Sequence, residues 1–254
     1  MVPTANGIYY FASKSNGNGK SAVVLLHGAG GNHLHWPYNL RRLADYKIYA
    51  PDLPGHGKSA GLGMQSVEKY ADAIAEWLAA LEIKKAIIAG HSMGGAIAQT
   101  MAITYPKLVK GLILVATGAR LSVNEDLLHK LSTPASAPAA LELILKWSWM
   151  PGTDEKLLKK VQEQMLEVRS SVIYGDYLAC NNFDLTGKLG KIKAPTLVIA
   201  GEQDKMTPLD LLLQLENGIK HAQLAIVPEA GNMVMLEKPE QVAREVESFL
   251  AKIK

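Results

Sequence analysis

Short apolar runs alternate with longer stretches of helical period along this chain. Residues 22–26, 47–50, 85–89, 112–115, 196–200 and 224–227 are such runs, each stopping at or near glycine, proline or histidine. Continuous apolar runs of this length predict strands covered on both faces, as in a parallel sheet. Between them, Val67, Tyr70, Ile74, Leu78 and Leu81 recur at three- and four-residue steps and predict a helix with one apolar face. Val242, Val246, Phe249 and Leu250 predict another at the C-terminus. Strand–helix alternation of this kind predicts the α/β class, a mostly parallel sheet flanked by helices.

Residues 120–190 break the rhythm. Three helical stretches are predicted there, around 139–150, 154–170 and 172–181, and no strand. An insertion of this length is too long for a simple connection and reads as a helical cap over a core built from 1–119 and 191–254. Leu143, Trp147, Trp149 and Met150 are its candidate pocket-lining residues.

The pattern also places chemistry. Gly90-His91-Ser92-Met93-Gly94 follows a strand and precedes a small-residue helical stretch. A G-x-S-x-G run in that context sets a serine on a sharp turn, its hydroxyl clear of the sheet and the first helix amides facing the reacting centre. His27-Gly28-Ala29-Gly30-Gly31 closes an earlier strand, and such a loop can aim a backbone N–H at a developing oxyanion together with the N–H of Met93. Gly28, Gly30 and Gly31 do not fit a dinucleotide or phosphate loop.

Composition narrows the partners. With 48% hydrophobic and 20% charged residues over 254 positions, a folded core is available and disorder is excluded. The net charge is only +3, and five arginines among 27 basic residues are too few and too scattered for a nucleic-acid surface. Cys180 is the lone cysteine, which excludes an internal disulfide and a cysteine zinc site. There is no metalloprotease or dinucleotide motif, so no cofactor or metal is implied. No apolar run reaches bilayer length, and the first seven residues lack the blocks of a signal peptide, so a cytoplasmic protein without a membrane partner is expected. The expected state is a monomer or small homo-oligomer.

Taken together these motifs resemble the α/β-hydrolase superfamily, its carboxylesterase-like serine hydrolases with a helical cap. Asp52-Leu53-Pro54-Gly55-His56-Gly57-Lys58-Ser59 and Gly201-Glu202-Gln203-Asp204-Lys205-Met206-Thr207-Pro208 carry the resemblance further, over nearly the whole chain. It implies Ser92 as nucleophile, Asp204 as triad acid, and Ala29 and Met93 as the oxyanion hole. Asp204 lies just past a strand end, where such sheets collect site residues. Asp52 and His56 match a structural turn, and His91 a packed neighbour of the serine.

One departure stands out. The resemblance implies a histidine after the last strand, within Pro228-Glu229-Ala230-Gly231-x-Met233-Val234-Met235, and position x is Asn232. An asparagine amide there can bond Ser92 and Asp204 but cannot accept the serine proton at neutral pH. Three readings follow: an esterase disabled at one residue to trap substrate or product, a non-catalytic ligand-binding relative, or a hydrolase in which His33 or His35 serves as base. The implied substrate is a small to medium carboxylic ester, with lactone hydrolysis, C–C bond hydrolysis and perhydrolysis open. Gly28, His33, Leu143 and Trp147 are candidate substrate-binding residues.

Overall fold

All six apolar runs become strands; the inner ones are buried on both faces, whereas the last, in Ala222–Val227, lies at the sheet edge and stays largely half-buried or exposed. The computed structural model describes residues 3–15 and 21–253, so Met1 and Val2 of the segment expected to carry no signal peptide lie outside it. Its strands are β1 (Thr4–Ala5), β2 (Ile8–Ala12), β3 (Ala22–Leu26), β4 (Ile48–Pro51), β5 (Ala86–His91), β6 (Val109–Val115), β7 (Thr196–Gly201) and β8 (Ala222–Val227). They form one sheet in the order β1-β2-β4-β3-β5-β6-β7-β8. The β2 pairings with β1 and β4 are antiparallel, and every pairing from β4 through β8 is parallel. The two N-terminal strands are absent from the pattern-based reading.

The period of two sorts strand residues between two cores. Val23, Leu25, Ile87, Ala89, Ile113, Val115, Leu197 and Ile199 pack on one face. Val24, Leu26, Ile88, Leu112, Leu114 and Val198 pack on the other. Helix α1 (Tyr38–Arg41) and helix α10 (Pro239–Leu250) cover the first face, with Val242, Val246, Phe249 and Leu250 buried as the spacing predicts. Helices α2 (Val67–Ala80), α3 (Met93–Thr104) and α8 (Leu209–Gly218) cover the second. Ser66 caps α2, its hydroxyl accepting from Lys69 N–H, and Val67, Tyr70, Ile74 and Leu78 are buried along one stripe. Each large apolar side chain so buried contributes about 1.5–3 kcal/mol.

Four helices lie between β6 and β7: α4 (Glu125–Leu131), α5 (Ala137–Ser148), α6 (Glu155–Leu166) and α7 (Ser170–Asn181). The last three coincide with the predicted ones; α4 is an addition, a seven-residue helix too short to announce itself by period. A short helix, α9 (Val234–Glu237), follows β8. No helix among the described residues is long and apolar enough to cross a membrane.

Because β3 to β8 run parallel, their C-terminal ends share one edge of the sheet. The loop after β3, the turn after β5, the loop after β7 and the loop after β8 all open there, which brings residues 28–31, 92, 204 and 232 together.

Candidate active site

Ser92 sits in the one-residue turn between β5 and α3 with φ 51° and ψ −116°, a left-handed conformation that a side chain adopts only under constraint. The constraint is visible. Ser92 N–H donates to Val115 O at 3.0 Å, and Ser92 O accepts from Thr117 Oγ1 at 2.8 Å. A Cβ on Gly94 would collide with the carbonyl oxygens of Leu26 and His27, and one on Gly90 with the Gly94 backbone. The glycines flanking the serine are therefore required by close approach of backbone, as the motif implies.

Met93 N–H opens α3, and neither it nor Ala29 N–H has a hydrogen-bond partner among the described residues. Both remain available to an anionic oxygen beside Ser92. Ala29 and Ser92 border the same two cavities.

Asp204 lies three residues beyond β7, half-wrapped by its own loop. Its Oδ1 accepts from Met206 N–H at 2.8 Å and Thr207 N–H at 2.9 Å, and its Oδ2 from Thr207 Oγ1 at 2.6 Å. Asn232 Nδ2 donates to the same Oδ2 at 3.0 Å and to Thr207 Oγ1 at 3.1 Å. Burial pushes the Asp204 carboxyl above its ordinary value, against the downward pull of the Thr207, Asn232 and Met206 bonds.

The other end of the Asn232 carboxamide is also committed. Asn232 Oδ1 lies 3.1 Å from His91 Nε2, and Asn232 backbone O lies 3.0 Å from the same nitrogen. Two acceptors fix the proton on His91 Nε2. Burial depresses the imidazole to about 4, so His91 is neutral. The expectation that Asn232 bonds Asp204 holds; the expected bond to Ser92 does not form, because His91 takes the carboxamide oxygen.

The two alternative histidines separate. His33 turns away from Ser92: its N–H and its Nδ1 both meet Asp52 Oδ1 at 2.7 Å, and it borders a different, polar cavity with Lys58 and Arg169. That corrects its assignment to substrate binding, since the Asp52 turn captures the ring. His35 does border the cavity at Ser92, and its Nε2 is buried without a partner. Burial drives its imidazole down to about 3, which makes it too weak a base to take a serine proton near neutrality.

Two cavities meet at Ser92 and Ala29. One is small, about 40 Å³, and includes Gly28, Ile144, Leu145, Trp149, Asn232 and Met233 in its wall. The other is about 410 Å³ and runs past Leu121, Val123 and Leu211 to the exposed Arg120. Tyr177 of α7 and Met206 border both. Gly28 therefore borders the small cavity beside Ser92. Trp147 instead borders an outer apolar groove of about 620 Å³ with Met150 and Leu158. Leu143 packs half-buried against the core. Leu145 and Trp149 belong to both the small cavity and the outer groove and form the wall between them. Trp149 is among the pocket candidates named from the sequence; helical period marks Ile144 and Leu145 as apolar but not which side of the inserted helices they face, so only the structure selects those two.

Asp52 and His56 serve the fold, as the motif implies. Asp52 Oδ2 accepts from Lys58 N–H at 2.9 Å, closing the turn. His56 Nε2 meets Asp176 Oδ2 of α7 at 2.7 Å, a tie between core and inserted helices that the sequence reading did not find.

Comparison with known proteins identifies the family. A model described as the alpha/beta hydrolase family matches residues 23–245. The chain is 32% identical over 257 residues to the dihydrolipoyllysine-residue acetyltransferase component of the acetoin cleaving system of Pseudomonas putida, covering 93% of this chain. It spans only 65% of that longer relative. It is 29% identical over 250 residues to the 2-hydroxy-6-oxo-6-phenylhexa-2,4-dienoate hydrolase of Burkholderia cepacia, covering 91% of this chain and 87% of that one. Among solved structures, a thermophilic esterase superposes with a TM-score of 0.84 at 32% identity, covering 100% of this chain and 97% of that chain.

Proposed function

The chain belongs to the alpha/beta hydrolase family, and from that premise we propose that it is a serine carboxylic ester hydrolase whose turnover is suppressed at position 232. The observation that carries the reading is the bond from Asn232 Nδ2 to Asp204 Oδ2 at 3.0 Å. A neutral carboxamide occupies the place of the base, with its partner carboxylate still in position.

In this reading Ser92 Oγ attacks the ester carbonyl, and the C=O electron pair moves onto oxygen, where Ala29 and Met93 N–H groups hold it. The alcohol leaves with a proton, and water clears the acyl-enzyme by the same route. Each half needs a group at position 232 that takes and returns a proton. Asn232 offers none, since its oxygen accepts from His91 and its nitrogen can only donate. Loss of the base leaves the rate supplied by oxyanion hole and binding, about 10³–10⁴-fold over water.

The cavities favour an ester with one short arm. Space of about 40 Å³ admits about three water-sized groups, while the 410 Å³ cavity takes the longer arm.

Labelling with a fluorophosphonate tests the reading. Ser92 Oγ forms a bond to phosphorus, the P–F bond breaks and fluoride leaves, while the hydroxyl proton passes to water in the unaltered chain and to the imidazole in Asn232→His. The label maps to Ser92, is absent in Ser92→Ala, and forms faster in Asn232→His than in the unaltered chain. No label in either chain, or label on another residue, contradicts the proposal.

A further inference from the structure

The loop that presents Ala29 is pinned on both sides of that residue, by different parts of the molecule. The peptide carrying Ala29 N–H is held through its other end, Gly28 O, which accepts from His27 Nδ1 at 2.8 Å and from Gly31 N–H at 3.1 Å. The following peptide is held from the inserted helices, where Gly30 N–H donates to Asp176 Oδ2 at 2.8 Å. Asp176 lies on α7, wholly buried. It accepts two further bonds, from His56 Nε2 at 2.7 Å and from Tyr70 Oη at 2.6 Å. Its neighbour Tyr177 borders both cavities at Ser92.

A carboxylate taken out of water is costly unless its lone pairs are met. Here donors from the Ala29 loop, the turn after β4 and helix α2 converge on one side chain from a fourth segment. The loop has little freedom otherwise: Gly30 has φ 63°, and a Cβ there would stand 3.3 Å from Met165 and 3.4 Å from Ile173, both on the inserted helices. If the Gly30 bond is lost, the Ala29–Gly30 peptide can rotate, and the turn that presents Ala29 N–H is then held only through Gly28 O.

We infer that Asp176 is a positioning residue for the oxyanion-binding loop, acting through its hydrogen bond to Gly30 N–H. The inference rests on the reading of Ser92 and Ala29 proposed above. Asp176 does not touch substrate; it sets where Ala29 N–H points, and it makes correct seating of α7 a condition of a working site. Misplacing a catalytic group by about 1 Å can cost about 10²-fold in rate.

The test uses the full chain with Asn232→His as background. One readout is kcat and KM for p-nitrophenyl butyrate. The other is ¹⁹F NMR titration with a trifluoromethyl ketone: Ser92 Oγ bonds to the carbonyl carbon, the C=O pair moves onto oxygen, and the hydroxyl proton passes to the imidazole installed at position 232. The matching methyl ketone, which stays planar, reports ground-state binding. Asp176→Ala, or Asp176→Ser where the alanine variant does not fold, is expected to lower kcat and trifluoromethyl ketone affinity about tenfold or more, with KM and methyl ketone affinity within about twofold. Asp176→Asn keeps an oxygen for Gly30 and His56 and an N–H₂ for Tyr70 Oη, so it is expected to restore kcat to within about threefold. Unchanged kcat in the folded alanine or serine variant overturns the inference, as does equal loss of both ketones. Absence of any Ser92 adduct in the background chain overturns the hydrolase reading, and this inference with it.

Discussion

Asn232 Nδ2 donates to Asp204 Oδ2 across 3.0 Å, in a pocket where Asn232 is 4% and Asp204 7% exposed. A neutral donor so placed satisfies a buried carboxylate without supplying a base. Replacing it by a second carboxylate makes the point measurable. In Asn232→Asp two acids share one dry site, and one must hold a proton. Its pKa in the folded state then lies above the unfolded value, so the folded chain binds more protons and gains stability as pH falls. Urea unfolding is expected to show Asn232→Asp less stable than the parent by on the order of 3 kcal/mol at pH 8, with most of the difference gone at pH 5.

The turn at Ser92 predicts its own sensitivity. Gly94→Ala forces a Cβ into the carbonyl oxygens of Leu26 and His27, and a cost of at least about 3 kcal/mol is expected from overpacking against rigid backbone. Gly152→Ala is the contrast. Its φ is +89° with nothing within 4 Å of a Cβ, so only the backbone penalty of about 1–2 kcal/mol applies. Urea midpoints for the two variants rank them.

Much of this architecture is legible in the residues alone, for reasons that differ by element. Central strands such as β5 and β7 are buried throughout, so they read as unbroken apolar runs. At the edge, β2 mixes half-buried aromatics and β1 has two residues, and neither gives a pattern. Ser92 and Asp204 are readable because a turn and a strand end constrain their neighbours in sequence. Asp176 is not: its three donors lie 146, 120 and 106 residues away, and nothing local marks it. His33 misleads for a related reason. Its nearness to the Ala29 loop in sequence does not decide which way the ring turns, and Asp52, 19 residues on, does.

The wall between the small cavity and the outer groove predicts chain-length preference. Leu145 and Trp149 close a space of about 40 Å³ against a groove of about 620 Å³. In the Asn232→His background, p-nitrophenyl acetate and butyrate are expected to outperform the palmitate ester. Trp149→Ala joins the two spaces and shifts the optimum to longer chains, with acetate losing about tenfold as its contacts go. Preference for palmitate before the wall is opened contradicts this assignment.

The tie between His56 and Asp176 predicts a pH-dependent share of stability. Burial lowers the His56 imidazole, but the Asp176 carboxylate 2.7 Å away outweighs it and holds the pKa above 6.5. A histidine raised on folding adds stability that is fully present below the unfolded value of about 6.5 and lost as pH rises through the folded one. Melting temperatures measured from pH 5 to pH 9 are expected to fall more steeply above pH 6.5 for the parent than for His56→Gln. Parallel curves would remove the charged pair from the account.

Position 232 decides the central claim, and one comparison of rates addresses it. Hydrolysis of p-nitrophenyl acetate and butyrate is followed in the unaltered chain and in Asn232→His side by side, with Ser92→Ala as the blank. The account predicts that kcat/KM rises by at least about 10³-fold when the imidazole is restored, toward the roughly 10⁶-fold that separates an intact triad from one without its histidine. Equal rates in both chains, abolished by Ser92→Ala, would contradict it by showing that the proton goes elsewhere than position 232.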